Sequence, residues 1–311
     1  MRYSRSKVRT AIPLAARIPG VSPRTVLALA AAALALVVAI PSGAAQASTP
    51  MLLGAVGDAA KLSNGGLSVG THAYGKLAGS VPAGRMVTMR AEVSWRTVAA
   101  ARPGSSTYAD IVRWANTLKG RPGLVLFAYH HEPEASGSVK YGSSADYIAA
   151  YRNVVDTFRA QGVNNIEYVW QMTSWSFATN AGDRRYAAKW YPGSGYVDDV
   201  GSDAYNWYTC GPGHGTWDEL KTVVDPSLGF AQAHGKQLVV AEFASQPGAR
   251  RVTWLRNAHA YLVANQANIR GAYYFQHADT EPNRGCDWPL RTSVDIAAFA
   301  EMTQDRAHFV S

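Results

Sequence analysis

The stretch Leu124–Glu134 reads LVLFAYHHEPE, six largely apolar residues that end on two histidines and two carboxylates. Burying charge without a partner is costly, so this cluster marks either a solvent-filled mouth or a reaction centre. A second apolar run, QLVVAEF, carries Glu242 next to its end. Two carboxylates facing each other across a cleft are the arrangement that glycoside hydrolysis uses. The glycosidic oxygen leaves poorly, so one acid must protonate it. An anion on the opposite face then meets the developing oxocarbenium ion. The acid must be neutral when it acts, which needs burial or a neighbouring negative charge. Glu132 and Glu242 are the candidate pair, against the plainer reading of each as a partnered loop charge. Glu134 rivals Glu132 but lies past Pro133, further out on the loop. A metal site of His130, His131 and Glu132 is disfavoured, because adjacent residues on a regular strand point to opposite faces and HExxH is absent. One of these histidines is expected to bond a carboxylate or a sugar hydroxyl, with a satisfied core histidine as the equal alternative.

Positioning such a pair requires a scaffold. Eight short apolar runs read as strands: Met51–Val56, Gly66–Ala73, Arg85–Ala91, Gly123–His130, Ile166–Met172, Tyr196–Asp203, Gln237–Phe243 and Gly271–His277. Continuous apolar strands are buried on both faces, as parallel strands are. Between them lie amphipathic segments. In SADYIAAYRNVVDTFRAQG, Tyr147, Ile148, Tyr151, Val154, Val155 and Phe158 form one stripe. Ser143 and Asp146 suit a capping box there, and Gly162 a C-terminal stop. TYADIVRWANTLKG and VTWLRNAHAYLV repeat the pattern, which puts Trp114 and Trp254 in the core. Eight alternating units predict an α/β fold, a (β/α)8 TIM barrel of one domain over residues 48–311, with no GxGxxG fingerprint for a nucleotide-binding rival. Active sites of such barrels lie at the C-terminal strand ends. Glu132 and Glu242 fall there, after strands four and seven, 110 residues apart.

Residues 1–47 stand outside that fold. Arg2, Arg5, Lys7, Arg9, Arg17 and Arg24 precede a short apolar run, Val26–Ile40, and the small-x-small site AQA ends at Ala47. This predicts a secretory signal peptide and an extracellular protein; the run is short of the ~20 residues of a membrane span. Six of the 30 Lys and Arg belong to the leader and none of the 22 Asp and Glu, so the remaining chain is near +2 rather than +8. The basic pI therefore says little of nucleic acid, and none is expected as a partner. Export permits disulfides, so Cys210 and Cys286 are expected to pair and join the loops after strands six and eight, with two free thiols as the alternative. No cofactor, metal or membrane partner is expected, and the chain is read as a monomer.

FAYHHEPE, WYPGSGYVDDVGSDAYNW and VVAEFAS together resemble glycoside hydrolase family 26, barrel-shaped retaining glycosidases that are mostly endo-β-1,4-mannanases with some β-glucanases and xylanases. The resemblance implies Glu132 as acid/base, His131 as its neighbour lining the site, and Glu242 as nucleophile. It also implies a hydrogen bond from Tyr205 to Glu242. Pro133 and Glu134 replace the glycine and tryptophans that usually follow in mannanases, and Phe275 and His277 stand where strand eight often ends on tryptophan. Apart from the resemblance, Trp170, Trp175, Trp190, Tyr205, Trp207, Tyr208 and Trp288 fall at or after strand ends, where rings stack on sugar faces. Core packing is the equal alternative for each ring, as it is for Trp95. The expected substrate-binding set is His131, Tyr205, Trp175, Trp170, Trp207 and Trp288. The expected function is a secreted retaining endo-β-glycanase acting on β-1,4-mannan or glucomannan. Mixed-linkage glucan or xylan is the alternative substrate, and an inactive sugar-binding barrel the alternative class.

Overall fold

The computed structural model describes residues 49–63, 68–213, 215–278 and 285–311; the expected signal peptide lies outside them. Eight strands follow in chain order: β1 (Met51–Gly57), β2 (Gly70–Lys76), β3 (Met86–Arg90), β4 (Val125–Tyr129), β5 (Ile166–Thr173), β6 (Asp199–Asn206), β7 (Gln237–Ser245) and β8 (Ile269–Gln276). Each pairs in parallel with the next, and β1 pairs with both β2 and β8, so the sheet closes on itself. A short β9 (Phe309–Val310) adds to β1. Helices α1 (Trp95–Ala99) and α2 (Ser106–Lys119) follow β3, α3 (Ser144–Ala160) follows β4, α4 (Ser174–Ala178) β5, α5 (Leu220–Ala233) β6, α6 (Arg251–Ala264) β7 and α7 (Ser293–Gln304) β8, while among the described residues a single 3-10 turn, Ala59–Leu62, lies between β1 and β2 and no helix between β2 and β3. The chain is a (β/α)8 barrel.

The local signals act as their chemistry dictates. Ser143 accepts from the amide of Asp146, whose carboxylate accepts in return from the Ser143 amide, so α3 begins on a reciprocal cap. Beyond its end Gly162 takes φ +70°, a left-handed turn that costs glycine nothing. Strand alternation splits the core in two. On β4, Leu126 and Ala128 point into the barrel, while Val125, Phe127 and Tyr129 meet the helices. Trp114 and Trp254 are fully buried under the helices.

Two strands differ from the sequence reading by three residues or more, the others by one or two. β2 runs on past Ala73 to Lys76, which carries Tyr74 to the barrel rim. β6 begins at Asp199 rather than Tyr196, because Tyr196–Asp198 form a turn: the Tyr196 amide donates to Gly193 O, and the Asp198 carboxylate accepts from the Tyr168 amide. The strand therefore extends through Tyr205 to Asn206.

Candidate active site

Glu242 sits near the end of β7 and is 6% exposed. Its direction depends on an irregularity. On β7, Val239 and Ala241 face the barrel interior and Val240 the helices, so a regular strand would turn Glu242 outward. The pairing with β6 instead steps from Ser202–Val240 to Asp203–Glu242 and skips Ala241. This bulge re-aims the carboxylate toward the mouth. There Tyr205 donates to one carboxylate oxygen and Tyr74 to the other. Both phenols are held well above their usual pKa, first by burial and then by the charge of Glu242, so they stay protonated and serve as donors.

Glu132 follows β4. Its amide donates to the carbonyl of Gln171 on β5 at 3.0 Å. His130 and Glu132 take φ of +49° and +46°, a left-handed backbone uncommon outside glycine. These two residues break the alternation of β4. His130 turns away from the barrel axis, its ring on Trp95 and Tyr141 and its Nδ1 accepting from the Ala91 amide. His131 instead lies with its ring 4.7 Å from that of Tyr74. The histidines thus part company, and among the described residues no group of three His, Cys, Asp or Glu could hold a metal ion. Burial lowers both, His130 to about 3 and His131 to about 4, with Arg90 adding to the effect at His131.

The two glutamates feel each other. Burial, then the charge of Glu132, raises Glu242 to about 7, against the two tyrosine hydrogen bonds that lower it. A third carboxylate, Asp203, lies opposite Glu242 in register and is 3% exposed. Burial and the charges of Glu242 and Glu132 push it well above the usual range, while Gln171 Nε2 donates to its oxygens at 2.9 and 3.0 Å.

Glu134 does not share the mouth. It is fully buried, and one carboxylate oxygen accepts from the Thr173 amide at 2.8 Å and hydroxyl at 2.6 Å, which fastens the loop to β5. Among the aromatics, Tyr205 reaches the nucleophile candidate as described. Trp170 does not belong to the site: it points outward from β5 into the helix layer, against Phe177, Tyr191 and Phe230, with no exposure. Trp288 is 2% exposed and packs on Tyr205 and Trp207, so it backs the tyrosine rather than offering an open face. Trp207 is partly buried beside them, and Trp175 is 44% exposed with the Arg185 guanidinium 3.7 Å from its ring centre. Trp95 and Trp190 are core. Cys210 and Cys286 form a disulfide between the loops after β6 and β8.

Tyr74, Gln171 and Asp203 are absent from the sequence-derived set. Tyr74 fell one residue beyond the expected end of its strand. Gln171 carried a readable signal, a polar residue inside a strand buried on both faces.

Comparison with known proteins bears on the family and the fold. Over 202 residues the chain is 28% identical to endoglucanase H of Acetivibrio thermocellus, covering 62% of this chain and 21% of that protein. The chain thus spans about a fifth of the length of that relative. In structure it is similar to a family 26 β-mannanase from Bacteroides ovatus, with a TM-score of 0.57 at 15% identity over 84% of this chain and 90% of the other. The family 26 domain of an endo-β-mannanase/endo-β-glucanase from Prevotella bryantii gives 0.52 at 12% identity, over 83% and 90%. At such identities these two likenesses show the fold. Residues 104–267 match the model of glycosyl hydrolase family 26. With more than half of its length inside that match, the chain belongs to glycosyl hydrolase family 26.

Proposed function

We propose that this enzyme cleaves β-1,4-linked mannan or glucomannan internally, with retention, by double displacement between Glu242 and Glu132. The observation that carries the reading is the seat of Glu242: a carboxylate re-aimed by a strand bulge, held by two protonated tyrosines, and within reach of the charge of Glu132. In the first step Glu242 attacks the anomeric carbon while Glu132 gives its proton to the glycosidic oxygen, and the leaving chain departs. A glycosyl ester to Glu242 remains. Glu132 then takes a proton from water, the water oxygen attacks the same carbon, and Glu242 leaves as carboxylate. Two inversions restore the β-configuration. The tyrosine donors stabilise the carboxylate as it leaves.

Mannose carries an axial hydroxyl at carbon two, beside the reacting centre, where contacts strengthen in the transition state. His131 supports recognition there. Its Nδ1 is buried with no hydrogen-bond partner among the described residues, and burial keeps the ring neutral, so a sugar hydroxyl can satisfy it. Trp175 and Trp207 supply rings for further sugars. A second reading, mixed-linkage β-glucan, is favoured by the 28% identity to an endoglucanase. Digests of mannan, glucomannan, lichenan and xylan, followed by reducing ends and by the anomer first released, test both. Cleavage of lichenan alone overturns mannan and leaves the reaction standing; release of the α-anomer overturns double displacement. The basic leader and its AQA site support export with cleavage after Ala47. N-terminal sequencing of protein from the culture medium tests that.

A further inference from the structure

Between the two glutamates lies a residue that touches the surroundings of both. Gln171 is 1% exposed and projects into the barrel from β5. Its backbone carbonyl accepts from the Glu132 amide at 3.0 Å. Its side-chain Nε2 donates to Tyr74 Oη at 3.3 Å and to Asp203. Its Oε1 accepts from the Thr88 hydroxyl at 3.2 Å. In this orientation the amide satisfies both ends, Nε2 toward Asp203 and Tyr74 and Oε1 toward the Thr88 hydroxyl. A phenol has a single hydrogen. With Gln171 donating to its oxygen, Tyr74 is left to donate onward, and the acceptor is Glu242. The fold also makes room for this residue. A Cβ on Gly201 of β6 would stand 2.9 Å from Gln171 Cα and 3.0 Å from its Cβ, so only glycine leaves Gln171 where it is.

We propose that Gln171 is a positioning residue for the reaction: through one residue the backbone sets the acid/base loop, and the side-chain amide aims the Tyr74 hydroxyl at the nucleophile. The proposal rests on the reading of Glu242 as nucleophile. It goes beyond that reading in assigning the direction of the Tyr74 hydrogen bond to a side chain that itself touches no substrate. Asp203 is held by the same amide, so the orientation of Tyr74 and the surroundings of the third carboxyl are set together.

A double-mutant cycle tests it. Wild type, Gln171→Met, Tyr74→Phe and the double variant are compared on a 2,4-dinitrophenyl β-glycoside that the wild type turns over, a substrate whose first step needs the nucleophile but little acid. Gln171→Met keeps the length and removes the donors. We expect kcat/KM to fall about 10–100-fold, the loss of a hydrogen bond to a charged group, carried by kcat with KM within about twofold. In the Tyr74→Phe background the same change should cost no more than about twofold. Losses that multiply across the cycle, or a loss confined to KM, overturn the proposal, because a residue that only fills space has no reason to act through Tyr74. Gln171→Asn replaces Gln171→Met if the latter fails to fold: it keeps an amide one methylene short of Tyr74, and the same pattern is expected. Glu242→Gln separates the two readings. If it retains full turnover, the nucleophile assignment falls and this proposal with it; if it abolishes turnover, the cycle bears on Gln171 alone.

Discussion

Replacing Glu242 with glutamine should stabilise the fold while it stops the chemistry. Burial and the charge of Glu132 raise this carboxyl from 4.5 to about 7. In the unfolded chain it ionises near its ordinary value. The sign follows. Below about pH 4.5 both states hold the proton, and the group adds nothing to pH dependence. Between 4.5 and 7 the unfolded chain has lost the proton and the folded chain has not, so stability falls as pH rises. Above 7 the full cost is present: 2.5 pH units at 1.36 kcal/mol each is about 3 kcal/mol. An amide does not titrate. It accepts from one tyrosine and donates to the other, so the packing around Tyr74 and Tyr205 survives. Glu242→Gln should therefore match the wild type near pH 4 and exceed it by about 3 kcal/mol near pH 8, roughly 6–10 °C in Tm for a domain of this size. Thermal unfolding at the two pH values reads this directly. Equal gains at both would mean that packing rather than ionisation is at work, and a loss at pH 8 would refute the electrostatic reasoning.

Glu132→Gln should lose about 10²–10⁴-fold on polysaccharide, the contribution of general acid catalysis, yet form the glycosyl-enzyme rapidly from a dinitrophenyl glycoside in a stopped-flow burst; Glu242→Gln should show no burst. Tyr205→Phe removes a donor that lowers Glu242, so the acid limb of kcat/KM should move to higher pH, by about one unit for a bond of ~1.5 kcal/mol; an unmoved limb contradicts that role. Changing both Cys210 and Cys286 to serine opens a link between residues 76 apart, which by chain entropy costs ~4 kcal/mol and should lower Tm. Trp170→Ala should cost ~3–5 kcal/mol of stability with KM unchanged, whereas Trp175→Ala should raise KM on polysaccharide with Tm unchanged.

The chain itself determined the architecture and marked out the candidate acid pair. Apolar runs of strand length alternating with 3.6-residue stripes admit little but a barrel, because each stripe must bury against a sheet covered on both faces. The glutamates at the ends of runs four and seven then face a common mouth, and two cysteines after runs six and eight come within bonding reach. Residues 1–47 hold six of the basic residues and no acid, so the rest of the chain is near +2. These are properties of local pattern, and local pattern is written along the chain.

What the chain could not declare is where side chains point once a strand departs from ideal. By alternation Glu242 belongs outside the barrel; the bulge that skips Ala241 exists only because β6 and β8 pair with β7 on either side. The positive φ at His130 and Glu132 likewise comes from anchoring to Met89 and Gln171 on the flanking strands. Trp170 and Gln171 are neighbours in sequence, yet one is helix-layer core and the other bonds the Glu132 amide and the surroundings of Glu242. Glu134 and Glu132 are two residues apart, and only the reach of Thr173 separates a loop fastener from an acid. In each case the deciding contact comes from residues 30 or more positions away, and such contacts have no trace in local periodicity. Tertiary structure alone settles which of two adjacent residues faces the barrel interior.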